Sequence, residues 1–242
     1  MTKTAHQLHV CKVLWIKILP YLVRHGLALG IVCFSFFSNA QSPPIDSIRE
    51  RLQLLDTTLT ANELVPLMEY VQKNPEVNPN KLDKLARKLY RQNEKEKHKA
   101  AIKTAGKLLA LSPNNVTGLK EMAYALHKLG DEDSAAVYFR LMTTSINAVL
   151  LTGKGSYTSP VLVNNSFELY SIIEASYRLR ANQSGVVKST RGEIRAFYKA
   201  GSISLFGYIQ HWEPFLKRGQ FTRGDIDINE INRTIELDSI PH

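Results

Sequence analysis

Residues 82–115, LDKLARKLYRQNEKEKHKAAIKTAGKLLALSPNN, are followed directly by residues 116–149, VTGLKEMAYALHKLGDEDSAAVYFRLMTTSINAV. The two 34-residue stretches match in register. Leu85, Tyr90 and Ala101 fall on Leu119, Tyr124 and Ala135, Leu82 falls on Val116, and Ala105 falls on Phe139. Apolar residues recur at helical spacing through both. In the second stretch Gly130 can take positive φ and end one helix, and Asp131 can cap the next. Small residues at Ala123 and Ala135 allow two helices to approach closely, and Phe139 is expected to fill the space toward the next element. The first stretch keeps Ala101, but Leu89 stands where the second has Ala123, and no glycine marks its turn.

A 34-residue period of paired antiparallel helices resembles the tetratricopeptide repeat. The resemblance implies a partner-binding concave face on the first helix of each pair. On that register the face carries Asp83, Tyr90 and Asn93, then Lys120, Tyr124, His127 and Lys128. The last four stand at i, i+4, i+7 and i+8 and share one helix face, opposite Met122 and Leu129, which are expected to point inward. Aromatic, amide and cationic groups together suit an extended peptide or a carboxylate. The candidate partner-binding residues are therefore Tyr90, Asn93, Lys120, Tyr124, His127 and Lys128, and the expected partner is a protein or peptide, with an acidic group as the natural complement. The alternative is that Tyr90 and Tyr124 merely pack against the flanking segment 43–74.

Toward the N-terminus, Ile45, Ile48, Leu52 and Leu55 form a helical stripe. Thr60 and Glu63 have capping-box spacing ahead of Leu64, Leu67, Met68 and Val71. Asn74-Pro75 and Asn78-Pro79 break the chain. Residues 1–40 read as a secretory signal peptide. Lys3, Lys12, Lys17 and Arg24 precede the uncharged run Leu27–Phe37, and Ser38 and Ala40 place small residues before a mature N-terminus at Gln41. Eleven residues fall short of the roughly 20 that a membrane span needs. Both cysteines, Cys11 and Cys33, lie in this leader, so the mature chain has no disulfide and no thiolate chemistry. Without the leader's four bases, 27 Lys and Arg face 22 Asp and Glu, a net charge of +5. That is too little to indicate nucleic acid. The lysine-rich stretch 81–107 is interrupted by Asp83, Glu94 and Glu96 and goes around its helices, as a solvated surface does.

Toward the C-terminus the pattern changes. Gly153, Gly155 and Pro160 mark a loop, and Val161-Leu162-Val163 is a short strand. Asn165 and Glu168 have capping-box spacing before a helix carrying Leu169, Tyr170, Ile173 and Tyr177. Val186-Val187, Glu193–Lys199 and Ile203–Ile209 read as strands joined by turns at 190–192 and 200–202. The expected fold class is α+β: a helical-repeat half over 41–150, with repeats 82–115 and 116–149, then a small antiparallel sheet with one helix over 151–218. A polar tail, 219–242, ends the chain. The arrangement over roughly 45–218 resembles an uncharacterised family of exported bacterial proteins, a domain of unknown function. The stretches that carry the likeness are Thr152-Gly153-Lys154-Gly155-Ser156, where the family has a segment close to S-G-D-G-K-S, and Phe167-Glu168-Leu169-Tyr170. Lys154 replaces the family's acid. The resemblance implies no activity.

Common chemistries find little support. A phosphate loop needs a glycine where Ala148 stands. His98, His127, His211 and His242 show no metal-ligand spacing, and no G-x-S-x-G elbow occurs. Asp225, Asp227, Asn229 and Glu236 echo a calcium loop, but Glu230 holds the position that needs glycine. No cofactor or metal is called for. The reading is an exported, non-enzymatic interaction or scaffold protein of the bacterial envelope, periplasmic or extracellular, with no transmembrane helix once mature. The alternative is an enzyme with a site between the halves around Lys154, Glu168 and His211.

Overall fold

The computed structural model describes residues 44–188 and 193–210. The leader, His211, the turn at 190–192, the calcium-like segment and the tail 219–242 lie outside the described residues. Local signals set the helices. Ile48 and Leu52 face inward on α1 (Ile45–Gln53). At the start of α2 (Ala61–Lys73) the Thr60 hydroxyl accepts from the Glu63 amide, and the Glu63 carboxylate accepts from the Thr60 amide. Arg51 donates to Asp56 at 2.7 Å and to Glu63 at 2.6 Å, which fastens α1 to the start of α2. Asn78 caps α3 (Pro79–Glu94), which has proline at its first position. Then come α4 (His98–Leu111), α5 (Val116–Lys128), capped by Asn115, and α6 (Glu132–Leu151), capped by Asp131.

The α3–α4 and α5–α6 turns are built alike. Between α5 and α6, the Asp131 amide donates to Leu126 O and the Gly130 amide to His127 O, with Gly130 at φ +83°. Thirty-four residues earlier the Lys97 amide donates to Gln92 O and the Glu96 amide to Asn93 O. Here Glu96 takes the left-handed position at φ +57°. The missing glycine thus leaves the turn geometry unchanged, at a cost of roughly 1–2 kcal/mol in backbone strain.

Two packing expectations are overturned. Phe139 does not fill the space toward a following element; it is 59 % exposed. Leu129, at the end of α5, is 45 % exposed, whereas Met122 is buried as expected. By length and composition α6 could cross a membrane, yet Leu141, Met142, Ile146 and Val149 are buried in the core.

After α6 the loop 152–160 leads into β1 (Val161–Leu162), α7 (Phe167–Tyr177), β2 (Gln183–Lys188), β3 (Ile194–Ala200) and β4 (Ile203–Tyr208). The sheet order is β1-β4-β3-β2. The β2–β3 and β3–β4 pairs are antiparallel, with Val187 opposite Arg195 and Phe197 opposite Phe206. The expectation of a wholly antiparallel sheet is corrected by β1, which pairs parallel to β4, Val161 with Gly207. The reason is the crossover. The chain leaves β1 through α7 and returns along the far edge, so the last strand reaches β1 running in the same direction.

Helix α7 lies between the sheet and helices α3 and α5. All seven residues from Phe167 to Ile173 are buried, as befits helical turns covered on all sides, whereas Tyr177 in the last turn is exposed. Gly207 is where α7 comes closest, because a Cβ there would meet Val163 and Leu169 at under 3 Å. Most buried apolar residues from Ile48 to Ile209 form one cluster that runs from the helices into the sheet, and Phe197 and Phe206 form a second, smaller one.

Candidate functional site

The side chains of α3, α5, α6 and α7 enclose an open groove of about 600 Å³. Its apolar lining comes from Ala123, Ala135, Ala136, Phe139, Met142 and Ala175. Small residues at 123 and 135 leave room there, and the rings of Tyr124 and Phe139 are 44 % and 59 % exposed. Of the six residues expected to meet a partner, Tyr90, Asn93, Lys120, Tyr124 and His127 all line this groove. Lys128 does not line it, but its ammonium sits 5.5 Å from the centre of the Tyr124 ring.

The roles of these side chains differ from those the sequence suggests. Lys120 is not free to meet a partner's carboxylate. Its ammonium pairs with Glu121 at 2.9 Å and with Glu174 of α7. Burial works against its charge, but those two carboxylates outweigh it and hold its pKa above the ordinary lysine value. Asn93 is buried. Its amide donates to the Glu121 carboxylate at 2.8 Å and the Glu121 carbonyl at 2.9 Å. Tyr90 packs against α7. Its ring meets Phe167 and Tyr170 of α7 edge-on, and its hydroxyl is 2.9 Å from that of Tyr170. Burial raises its pKa further. Lys120, Asn93 and Tyr90 therefore form the rigid polar wall of the groove, while Tyr124, with Phe139, provides its accessible surface.

Helix periodicity alone did not point to Phe139, Arg140, Glu174 or Arg180, which also line the groove. Phe139 reads as core, and the other three are surface charges in sequence. Arg180 bridges Glu94 at 3.1 Å and Glu174 at 3.8 Å, closing one side. His127 Nδ1 lies 2.8 Å from Glu132.

The residues of the alternative, enzymatic reading are placed differently. Lys154 is exposed in the loop after α6. Glu168 is 1 % exposed. Its carboxylate accepts from the amides of Val116 at 2.9 Å and Asn164 at 2.6 Å, and also from that of Asn165. The Asn165 bond is one half of the expected capping box; the Asn165 side chain turns instead to the Phe167 amide. Burial pushes the Glu168 carboxyl up to about 7, against the opposing pull of the three amides. Its partners are backbone groups, so its visible task is to tie α7 to the start of α5. Among the described residues no three His, Cys, Asp or Glu side chains gather as metal ligands would.

Fold and groove together define the class: an α+β protein in which a stack of helices meets a small mixed sheet through one buried helix. The chain belongs to the family described as a domain of unknown function, DUF4919, whose model matches residues 45–194. No curated protein and no solved structure matches it.

Proposed function

We propose that this is an exported, non-enzymatic binding protein of the bacterial envelope, which holds a protein or peptide partner in the groove between α5, α6, α3 and α7. One observation carries the reading: five residues chosen from sequence register alone line a single open groove that also exposes two aromatic rings. Aromatic side chains half-open to solvent offer large contact area at low entropic cost, and such residues dominate binding energy at interfaces. A tetratricopeptide-like repeat is supported by the like-built turns 34 residues apart at 96 and 130. It is supported also by the placement of α3, which packs against both α4 and α5. Export rests on the leader's charge and its apolar run.

The test is recovery of partners from envelope extract by the wild-type protein and by a Tyr124→Ala/Phe139→Ala double variant. Truncating one hot-spot residue costs about 2 kcal/mol, or roughly thirtyfold in affinity. The double variant should therefore lose specific partners while keeping its melting midpoint. A folded double variant that recovers the same proteins at the same yield refutes the groove as the binding site.

A further inference from the structure

The charges around the groove are nearly all answered from within. Glu94 pairs with Arg180, Glu121 with Lys120, Glu174 with both of those bases, and Glu132 with His127. Arg140 is the exception. It is exposed and lines the groove, and its guanidinium has no ion-pair or hydrogen-bond partner among the described residues. Beside it on α6 stand Phe139, open to solvent, and Ala136, one turn back on the same face and also exposed. The groove thus presents one unanswered positive charge directly next to an unfilled apolar surface.

We propose that Arg140 and Phe139 together seat the last residue of a peptide chain, with the terminal carboxylate on the Arg140 guanidinium and an apolar terminal side chain over Phe139 and Tyr124. The inference rests on the groove being the partner-binding site. The planar guanidinium fork matches a carboxylate with two parallel hydrogen bonds. A C-terminal residue fits better than an internal aspartate or glutamate. It carries its anion and its apolar side chain on the same Cα, and Arg140 and Phe139 line the same groove. An acidic side chain puts the charge where the apolar group must go. A free acyl chain would satisfy the same two features, but it offers no amide donors to the exposed carboxylates of Glu94 and Glu132 along the groove's edge. This moves the anion-receiving role from Lys120, which is already paired, to a residue on the second helix of the pair.

The experiment is fluorescence anisotropy on the full chain with N-terminally fluoresceinated hexapeptides. Their last position is fixed as Leu or Phe and their upstream positions are mixed; each pool is made as the free acid and as the C-terminal amide. The wild type should bind the acid about tenfold more tightly than the amide. Arg140→Gln should bring the acid down to the amide's affinity and leave amide binding unchanged, while Arg140→Lys should restore part of the preference. Equal binding of acid and amide by the wild type overturns the carboxylate seat but leaves the groove reading intact. Acid binding that survives Tyr124→Ala/Phe139→Ala overturns the groove reading itself. Displacement of the peptide by dodecanoate at lower concentration than by unlabelled peptide acid makes a fatty acid the ligand and refutes the peptide. No binding of either pool refutes the inference outright.

Discussion

Stability should fall as pH rises from about 5 to 7, and Glu168 is the reason. Its carboxyl lies in the core and titrates at about 7, against an ordinary value of 4.5 in the unfolded chain. Between those values the folded state keeps a proton that the unfolded state has released. Stability therefore decreases with rising pH across this window and levels off above 7. At about 1.4 kcal/mol per unit, a gap of 2.5 corresponds to roughly 3 kcal/mol, an upper figure because interiors relax around a buried charge. The acids that hold bases act elsewhere. Asp56, hydrogen-bonded by Thr58 and Arg51, titrates at about 2, so its contribution is lost only under strong acid. Asp83 accepts from Ser166 and from the Phe167 amide, at the start of α7. The assay is urea unfolding at pH 5, 6, 7 and 8, with Glu168→Gln beside the wild type. The glutamine cannot titrate, so its profile over this range should be flatter. It should also be less stable at pH 5 by about 1–3 kcal/mol, because its NH₂ opposes one of the backbone amides that Glu168 satisfies. A wild-type profile that is flat or rises from pH 5 to 7, or a variant with the wild-type slope, refutes this account.

Two further substitutions test the packing. Gly153→Ala should lower stability by about 1–3 kcal/mol, since its Cβ would collide with the backbone carbonyl of Pro160, which cannot yield as a side chain can. Gly106→Ala, in the middle of α4 with nothing within 4 Å of the added carbon, should raise stability by up to about 1 kcal/mol. Melting curves that move both variants in the same direction would contradict this. Gln72→Leu removes the 2.7 Å bond to the Val163 carbonyl and the acceptor for the Gln210 amide at 2.8 Å. It should cost about 1–3 kcal/mol, and hydrogen exchange should rise around β1 and the end of β4; unchanged protection there would show that Gln72 does not hold the strands to α2.

The amino-acid sequence alone determined the features that depend on residues a few positions apart. The Thr60 cap, the Gly130 turn, the Asp131 cap and the inward stripe of Ile48 and Leu52 were legible because their hydrogen bonds and periodicity close within one or two helical turns. The α+β class was legible because the apolar period changes after Leu151. The register argument placed Tyr90, Asn93, Lys120, Tyr124 and His127 in one neighbourhood, since residues at helical spacing share a face. What those side chains do there was decided only by tertiary structure. Lys120 is neutralised in part by Glu174, 54 residues away, and Glu168 is claimed by the Val116 amide, 52 residues away. The strand β1 finds β4 rather than its sequence neighbour, which makes the sheet mixed. Phe139 and Arg140 look like a core aromatic and a surface charge until the uncovered outer side of α6 leaves both open. No local pattern encodes which distant groups will meet. Pairing, burial and exposure are set by how the whole chain closes on one core, and with them the groove's charge and its free arginine.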